Sequence, residues 1–134
     1  MRVFLDANIL FTAVATPDGW SALLIDNARK GGIPLVTCDL AVEEAGRNLR
    51  AKAPARADSL ASLLGQFEIV PTVATGKCPV DLPEQDVSIL LSAMAAQATH
   101  LVTGDFKDFG RWMNNPRRTG GVVIQSVADF LRSV

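Results

Sequence analysis

The sequence predicts an α/β fold: a parallel sheet of five short strands with helices on both faces, a three-layer α/β/α stack. Three observations predict it. Short runs rich in β-branched residues recur along the chain, and most are followed by a stretch with apolar residues at helical spacing. Gly, Pro, Asn and Asp punctuate the junctions. Parallel neighbours need crossover connections, and the intervening helical stretches supply them. With 134 residues, a single domain spanning 1–134 is expected, large enough to bury a core without disulfides.

Arg2 to Leu5 is the first strand, and Asn8 to Val14 places Ile9, Leu10, Ala13 and Val14 on a helix closed by the Pro17-Asp18-Gly19 turn. Trp20 to Lys30 is a second helix, with Leu23, Leu24 and Ala28 on one face and Gly31-Gly32 as its stop. Pro34 to Cys38 reads as the second strand. Asp39 is then expected to cap a helix whose Val42, Ala45 and Leu49 share a side, and Pro54 interrupts it. A further helix is predicted from about Ala55 to Gln66 on Ala57, Leu60, Leu63 and Leu64, then a strand over Phe67 to Val70 ended by Pro71. Thr72 to Pro83 reads as a loop. Val87, Leu90, Leu91, Met94 and Ala98 give the clearest amphipathic helix, and His100 to Thr103 is the fourth strand. Gly121 to Gln125 is the fifth. Ser126 precedes Asp129 by three residues, which predicts a capped final helix over Ser126 to Val134.

Composition removes several function classes. The hydrophobic residues, 49% of the chain, fall in short blocks, and no run offers the roughly 20 apolar residues of a membrane span. Asp6 breaks the opening apolar run where a secretory signal needs continuity, so a cytoplasmic location is expected. Cys38 and Cys78 lack metal-ligand spacing and read as reduced, partly buried thiols. A net charge of −1 does not advertise nucleic-acid binding, so any such function rests on local charge.

The informative residues are acids. Asp6 follows the first strand, Asp105 follows the fourth, Asp86 lies at the start of the amphipathic helix, and Glu43-Glu44 lie on the helix after the second strand. In open parallel sheets, sites form outside the carboxyl ends of the strands, and these positions can all face that edge. Two like charges about 4 Å apart cost on the order of 4 kcal/mol at an effective dielectric of 20, a repulsion that a cation relieves. Oxygen donors without Cys or a placed His favour Mg²⁺ or Mn²⁺ over zinc, and such ions suit phosphodiester hydrolysis. Asn8 and Thr103 sit on the same edge and can orient carboxylates or waters. Either Glu43 or Glu44 can be turned to the site, and spacing to Leu49 favours Glu44.

Asp6-Ala7-Asn8-Ile9-Leu10, the Glu44 helix with Leu49 after it, Asp86 followed by Ile89-Leu90 and Ala93, and Leu101-Val102-Thr103-Gly104-Asp105 followed by Asp108-Phe109 together resemble the PIN domain over almost the whole chain. The resemblance implies a five-stranded parallel sheet and a Mg²⁺- or Mn²⁺-dependent ribonuclease leaving a 5′ phosphate and a 3′ hydroxyl. It often accompanies the toxin half of a toxin–antitoxin pair of the VapC kind. It implies Asp6, Glu44, Asp86 and Asp105 as the catalytic, metal-holding acids, which Asn8 and Thr103 would support, while Asp108 is either a further metal or water ligand or a surface acid in a turn. An antitoxin partner and a homodimer are further expectations of the same kind.

Lys107, Arg111, Arg117 and Arg118 follow the last acid of the pattern and can hold RNA phosphates or face solvent. Trp20 and Trp112 are expected to pack rather than stack on bases. His100 begins a strand, away from the carboxyl edge, and receives no chemistry. Two other functions fit parts of the pattern: a catalytically inactive RNA- or protein-binding module, and a phosphoryl-transfer enzyme or phosphatase using Asp6 as nucleophile. Asn8 where dehalogenase-like phosphatases carry a second Asp weakens the latter. A carboxylate at every position of the PIN pattern argues against the former.

Overall fold

The computed structural model describes residues 1–134. Five strands, β1 (Val3–Leu5), β2 (Leu35–Cys38), β3 (Glu68–Val70), β4 (His100–Val102) and β5 (Val123–Gln125), form one sheet in the order β3-β2-β1-β4-β5. Every neighbouring pair is parallel. The central β1 is buried along its whole length, so its Val-Phe-Leu run carries no polar alternation. β3, at one edge, exposes Glu68 and Ile69, and the Glu68 charge with Pro71 just beyond it discourages further strand pairing.

Seven α-helices cover the sheet: α1 (Ala7–Ala15), α2 (Trp20–Lys30), α3 (Asp39–Lys52), α4 (Ser59–Leu64), α5 (Glu84–Ala95), α6 (Phe106–Phe109) and α7 (Val127–Ser133). α1 packs against α2, α3 and α4, and α2 against α7, which gathers these five helices on one face. The chain steps from β1 to β2 to β3 in one direction, then returns across the sheet to β4. Right-handed crossovers therefore put α5 on the opposite face. One continuous apolar cluster, with Phe4, Leu10, Leu24, Leu49, Leu90, Leu101 and Ile124 at its heart, joins the three layers. No helix is long and apolar enough to cross a membrane.

Local departures from the sequence reading have identifiable causes. The helix expected from Ala55 to Gln66 splits into a 3₁₀ turn at Pro54–Arg56 and the short α4, because Pro54 starts a tight turn and only Leu60 is fully buried along the segment. Asp39 does not cap α3. It is the first helical residue, and Cys38 occupies the cap without a side-chain bond. Ile25, not Leu23, joins Leu24 and Ala28 on the buried face of α2. α5 ends at Ala95, and Ala98 lies beyond a closing turn: Gln97 takes φ +58° and the Ala98 N–H donates to the Ala93 carbonyl. Gly121, expected in β5, instead forms part of the turn before it at φ +87°. The Ser126 cap of α7 forms as expected, its hydroxyl accepting from the Asp129 N–H at 3.0 Å.

Candidate metal centre

β1 and β4 are neighbours from which the chain departs to opposite sides of the sheet, and a crevice opens at their carboxyl ends. Asp6 and Asp105 sit at its two lips. The Asp6 N–H bonds to the Val102 carbonyl at 3.1 Å, which continues the β1–β4 ladder by one residue and brings Asp6 against Thr103.

Asp6 caps α1, its Oδ1 accepting from the Ala7 N–H at 2.7 Å. Its Oδ2 accepts from the Thr103 hydroxyl at 2.8 Å and, at 3.5 Å, from Asn8 Nδ2. Asn8 is fixed from its other end by the Gly104 N–H, which donates to Asn8 Oδ1 at 2.7 Å. A Cβ on Gly104 would lie 3.3 Å from that Oδ1, so glycine permits this close approach. Thr103 Oγ1 also accepts from the Asp105 N–H at 3.1 Å, and Asp105 Oδ1 accepts from the Asp108 N–H at 3.0 Å, capping α6. The residues from Asp6 to Asp108 at this edge are thus linked by one network of side-chain and backbone hydrogen bonds.

Glu44 from α3 and Asp86 from the first turn of α5 complete a pocket of about 220 Å³ shared with Asp6, Asn8, Asp105 and Asp108. Glu43 points elsewhere: it is exposed, with Arg47 3.6 Å away. Three lining residues, Pro83, Gln85 and Ile89, were not anticipated. Pro83 ends a loop, Ile89 is an apolar residue of the family pattern, and Gln85 is a neutral residue between two acids, so none of the three carries a chemical signal in the sequence.

No cation side chain lines the pocket, and the electrostatics show the strain. Burial, with smaller contributions from the charges of Glu44 and Asp105, pushes the Asp6 carboxyl up to about 6 against the opposing hydrogen bonds from Thr103 and Ala7. Asp86 is pushed up to about 7 by burial, then by the charges of Asp105 and Asp6, and by its hydrogen bond with Asp108 and that group's charge. The residues fit a hard divalent cation. Oxygens of Asp86, Asp105 and Asp108 lie within 4.8 Å of one another. Ligands of one Mg²⁺, each about 2.1 Å from it, lie at most about 4.2 Å apart, so a small side-chain adjustment suffices. The donors are all oxygen, and neither cysteine lines the pocket.

His100 lies at the opposite end of β4, edge-on to Phe130 at 5.5 Å, with burial pushing its pKa down. Lys107, Arg111, Arg117 and Arg118 are exposed, and none has a carboxylate within ion-pair distance. The Arg111 and Arg118 guanidiniums lie over the Trp112 ring, 4.5 and 5.5 Å from its centroid. Trp112 is buried as expected, its Nε1–H donating to the Asp81 carbonyl at 3.3 Å. Trp20 departs from expectation: it opens α2 at the surface and is 66% exposed.

A parallel α/β fold with carboxylates gathered at its switch point is the arrangement to which the comparisons attach a family. A family model described as "PIN domain" matches residues 2–107, and the chain belongs to the PIN domain family. No curated protein matches the sequence. Among solved structures, the chain is similar to VapBC2 from Rickettsia felis, solved bound to a DNA fragment from its promoter. The identity is 16%, the TM-score 0.65, and the match covers 94% of this chain and 98% of that one. VapBC-1 from nontypeable Haemophilus influenzae matches at 14% identity and TM-score 0.60, covering 96% of this chain and 99% of that one. PAE2754 from Pyrobaculum aerophilum matches at 20% identity and TM-score 0.58, covering 99% and 94%.

Proposed function

We propose that the chain, as one PIN-like domain, is a divalent-metal-dependent endoribonuclease that hydrolyses RNA phosphodiester bonds, the toxin half of a VapBC-like pair acting in the cytoplasm. One observation carries the reading: Asp6, Glu44, Asp86 and Asp105, from four separate elements, line one pocket together with Asp108. Family membership supports a nuclease, and the VapBC structures among the neighbours support an antitoxin partner. A homodimer accords with the same reading.

Asp86, Asp105 and Asp108, whose oxygens lie close together, would hold the ion, with Asp6 and Glu44 completing the charge around it. A bound Mg²⁺ or Mn²⁺ supplies Lewis acidity toward phosphate oxygens and water and neutralises the acids facing an anionic substrate. Thr103 and Asn8 fix the orientation of Asp6 Oδ2, leaving one carboxylate geometry available. Burial and the neighbouring acids push the Asp86 carboxyl up to about 7 in the metal-free protein, so loading the site would be coupled to partial proton release near neutrality. Arg111 and Arg118, held on Trp112, and the exposed Lys107 and Arg117 carry positive charge free to bind RNA phosphates.

The test is cleavage of pooled labelled structured and unstructured RNAs by the purified chain with Mn²⁺, Mg²⁺ or EDTA, alongside Asp6→Asn. Cutting that needs the metal and falls by several orders of magnitude in the variant is expected. Cutting that persists in EDTA or in the variant overturns the assignment, as does no cutting by folded, inhibitor-free protein.

A further inference from the structure

Beside the acidic pocket lies a second, larger groove of about 610 Å³ between α1, α2 and the segments after β4 and β5. Asn8 lines both, and Thr103 and Gly104, which hold the Asp6 network together, form part of the groove wall. The two spaces differ sharply in chemistry. The first is walled by carboxylates, whereas no residue lining the second carries a charge. Its rim holds two large exposed aromatic side chains, Trp20 at 66% and Phe106 at 61% exposure. Its polar groups are hydroxyls and amides, among them the Thr12 and Ser21 hydroxyls, which lie 2.6 Å apart.

We infer that this groove is a nucleobase subsite, receiving a base next to the cleaved phosphodiester against Trp20 and Phe106. The inference deepens the ribonuclease reading and rests on it. A nucleobase is flat, uncharged and edged with donors and acceptors, which matches a neutral groove with aromatic walls and hydroxyl groups. A phosphate or a charged side chain would find no opposite charge there. The shared Asn8 wall makes the two spaces neighbours, so a strand whose phosphate occupies the carboxylate site has its adjacent base within reach of the groove. Aromatic faces accept any base, so the subsite selects unpaired nucleotides over duplex and discriminates weakly among the four bases. The two rings remain exposed at a cost in apolar hydration that structure alone does not require, since Trp112 shows the same residue type packed away.

The experiment measures binding rather than cleavage. Full-length proteins carrying Asp105→Asn, so that strands stay intact, are titrated in Mg²⁺ against a labelled single-stranded oligoribonucleotide and an abasic ribose-phosphate strand of equal length. Fluorescence anisotropy reads the affinity. Trp20→Ala and Phe106→Ala are each expected to weaken binding of the intact strand by about five- to a hundredfold, the range for loss of one stacked base. Binding of the abasic strand is expected to stay unchanged, and Trp20→Phe is expected to retain most of the affinity. Unchanged affinity for the intact strand in both alanine variants overturns the inference, and so does equal weakening on both strands. Variants that leave RNA binding intact but weaken association with a protein partner also overturn it, making the groove a protein-docking surface. Failure of metal-dependent cutting by the unmutated chain, with base-dependent binding preserved, removes the ribonuclease reading and leaves the subsite standing.

Discussion

Replacing Asp6 by Asn is expected to stabilise the metal-free fold at pH 8 while destroying its response to metal. Asp6 is 4% exposed, and its carboxyl is pushed from 3.8 up to about 6. Because the folded-state pKa lies above the unfolded one, the native state binds the extra proton between these values. The resulting stability is fully present below pH 3.8 and is lost as pH rises through about 6. A shift of about two units corresponds to about 3 kcal/mol of destabilisation at pH 8, and about 1 kcal/mol at pH 4.5. Asn removes that cost. It retains the cap on the Ala7 N–H, since Asn caps helices as well as Asp does. It exchanges the Oδ2 acceptor for an amide donor facing Thr103 Oγ1, which already accepts from the Asp105 N–H at 3.1 Å and from Asn8 at 3.4 Å. That mismatch costs about 1–2 kcal/mol. The net expectation is a gain of about 1–2 kcal/mol for Asp6→Asn at pH 8 in EDTA, and zero or a small loss at pH 4.5. Mn²⁺ at a hundred times its dissociation constant adds about 2.7 kcal/mol to the unmutated chain, so the ranking inverts. Urea unfolding in EDTA and in Mn²⁺ at both pH values measures all four quantities. A variant less stable than the unmutated chain at pH 8 in EDTA refutes the electrostatic account, and equal Mn²⁺ stabilisation of both proteins refutes Asp6 as part of the metal site.

The unmutated chain in EDTA should lose stability as pH rises from about 4 to about 7, because Asp6 and Asp86 both titrate above the ordinary carboxylate range; a rise over that interval in chemical denaturation contradicts the site's charge. Glu44→Gln should lower kcat/KM for RNA at least a hundredfold and Glu43→Gln no more than about twofold, since only Glu44 lines the pocket; comparable losses in steady-state kinetics count against this placement. Gly104→Ala places a Cβ 3.3 Å from Asn8 Oδ1 and should reduce cleavage about tenfold with a stability change within about 1 kcal/mol, read by kinetics and urea unfolding together. Leu49→Ala, at a fully buried position on α3, should cost about 2–5 kcal/mol in urea unfolding, and a smaller loss would show that α3 packs loosely.

Elements that bury residues at a regular period were legible in the sequence, and elements decided by their junctions were less so. β1, β2 and β4 read correctly because strands covered on both faces form short, mostly apolar runs without the polar alternation that would hide them. The helix predicted across Ala55 to Gln66 failed for the opposite reason. Its apolar residues fit a helical period, but only Leu60 is fully buried and Pro54 spends the first turn on a 3₁₀ geometry. Leu23 shows the limit of periodicity within a correct helix: next to Leu24 and Ile25, a rotation of one residue decides which neighbour faces the core.

The acidic site was legible for a reason that does not extend to the groove beside it. Carboxylates at strand ends announce themselves because a charge that the chain could leave in solvent is instead placed where like charges converge. Asp6 and Asp105 lie far apart in sequence, yet the strand order β1-β4 brings them together, and the first turn of α5 adds Asp86 to the same pocket. Trp20 and Phe106 carry no comparable signal. An aromatic residue in a sequence reads as core, and only the position of the first turns of α2 and α6 leaves these two rings in water. Even the Glu43–Glu44 ambiguity follows this division. Chain order says which helix supplies the acid, but the packing of Ala41, Ala45 and Leu49 against the core sets the helix rotation that turns Glu44 into the pocket and leaves Glu43 in solvent beside Arg47. Charge placement is therefore written in the chain order, whereas aromatic placement is written in helix orientation, which the three-dimensional packing decides.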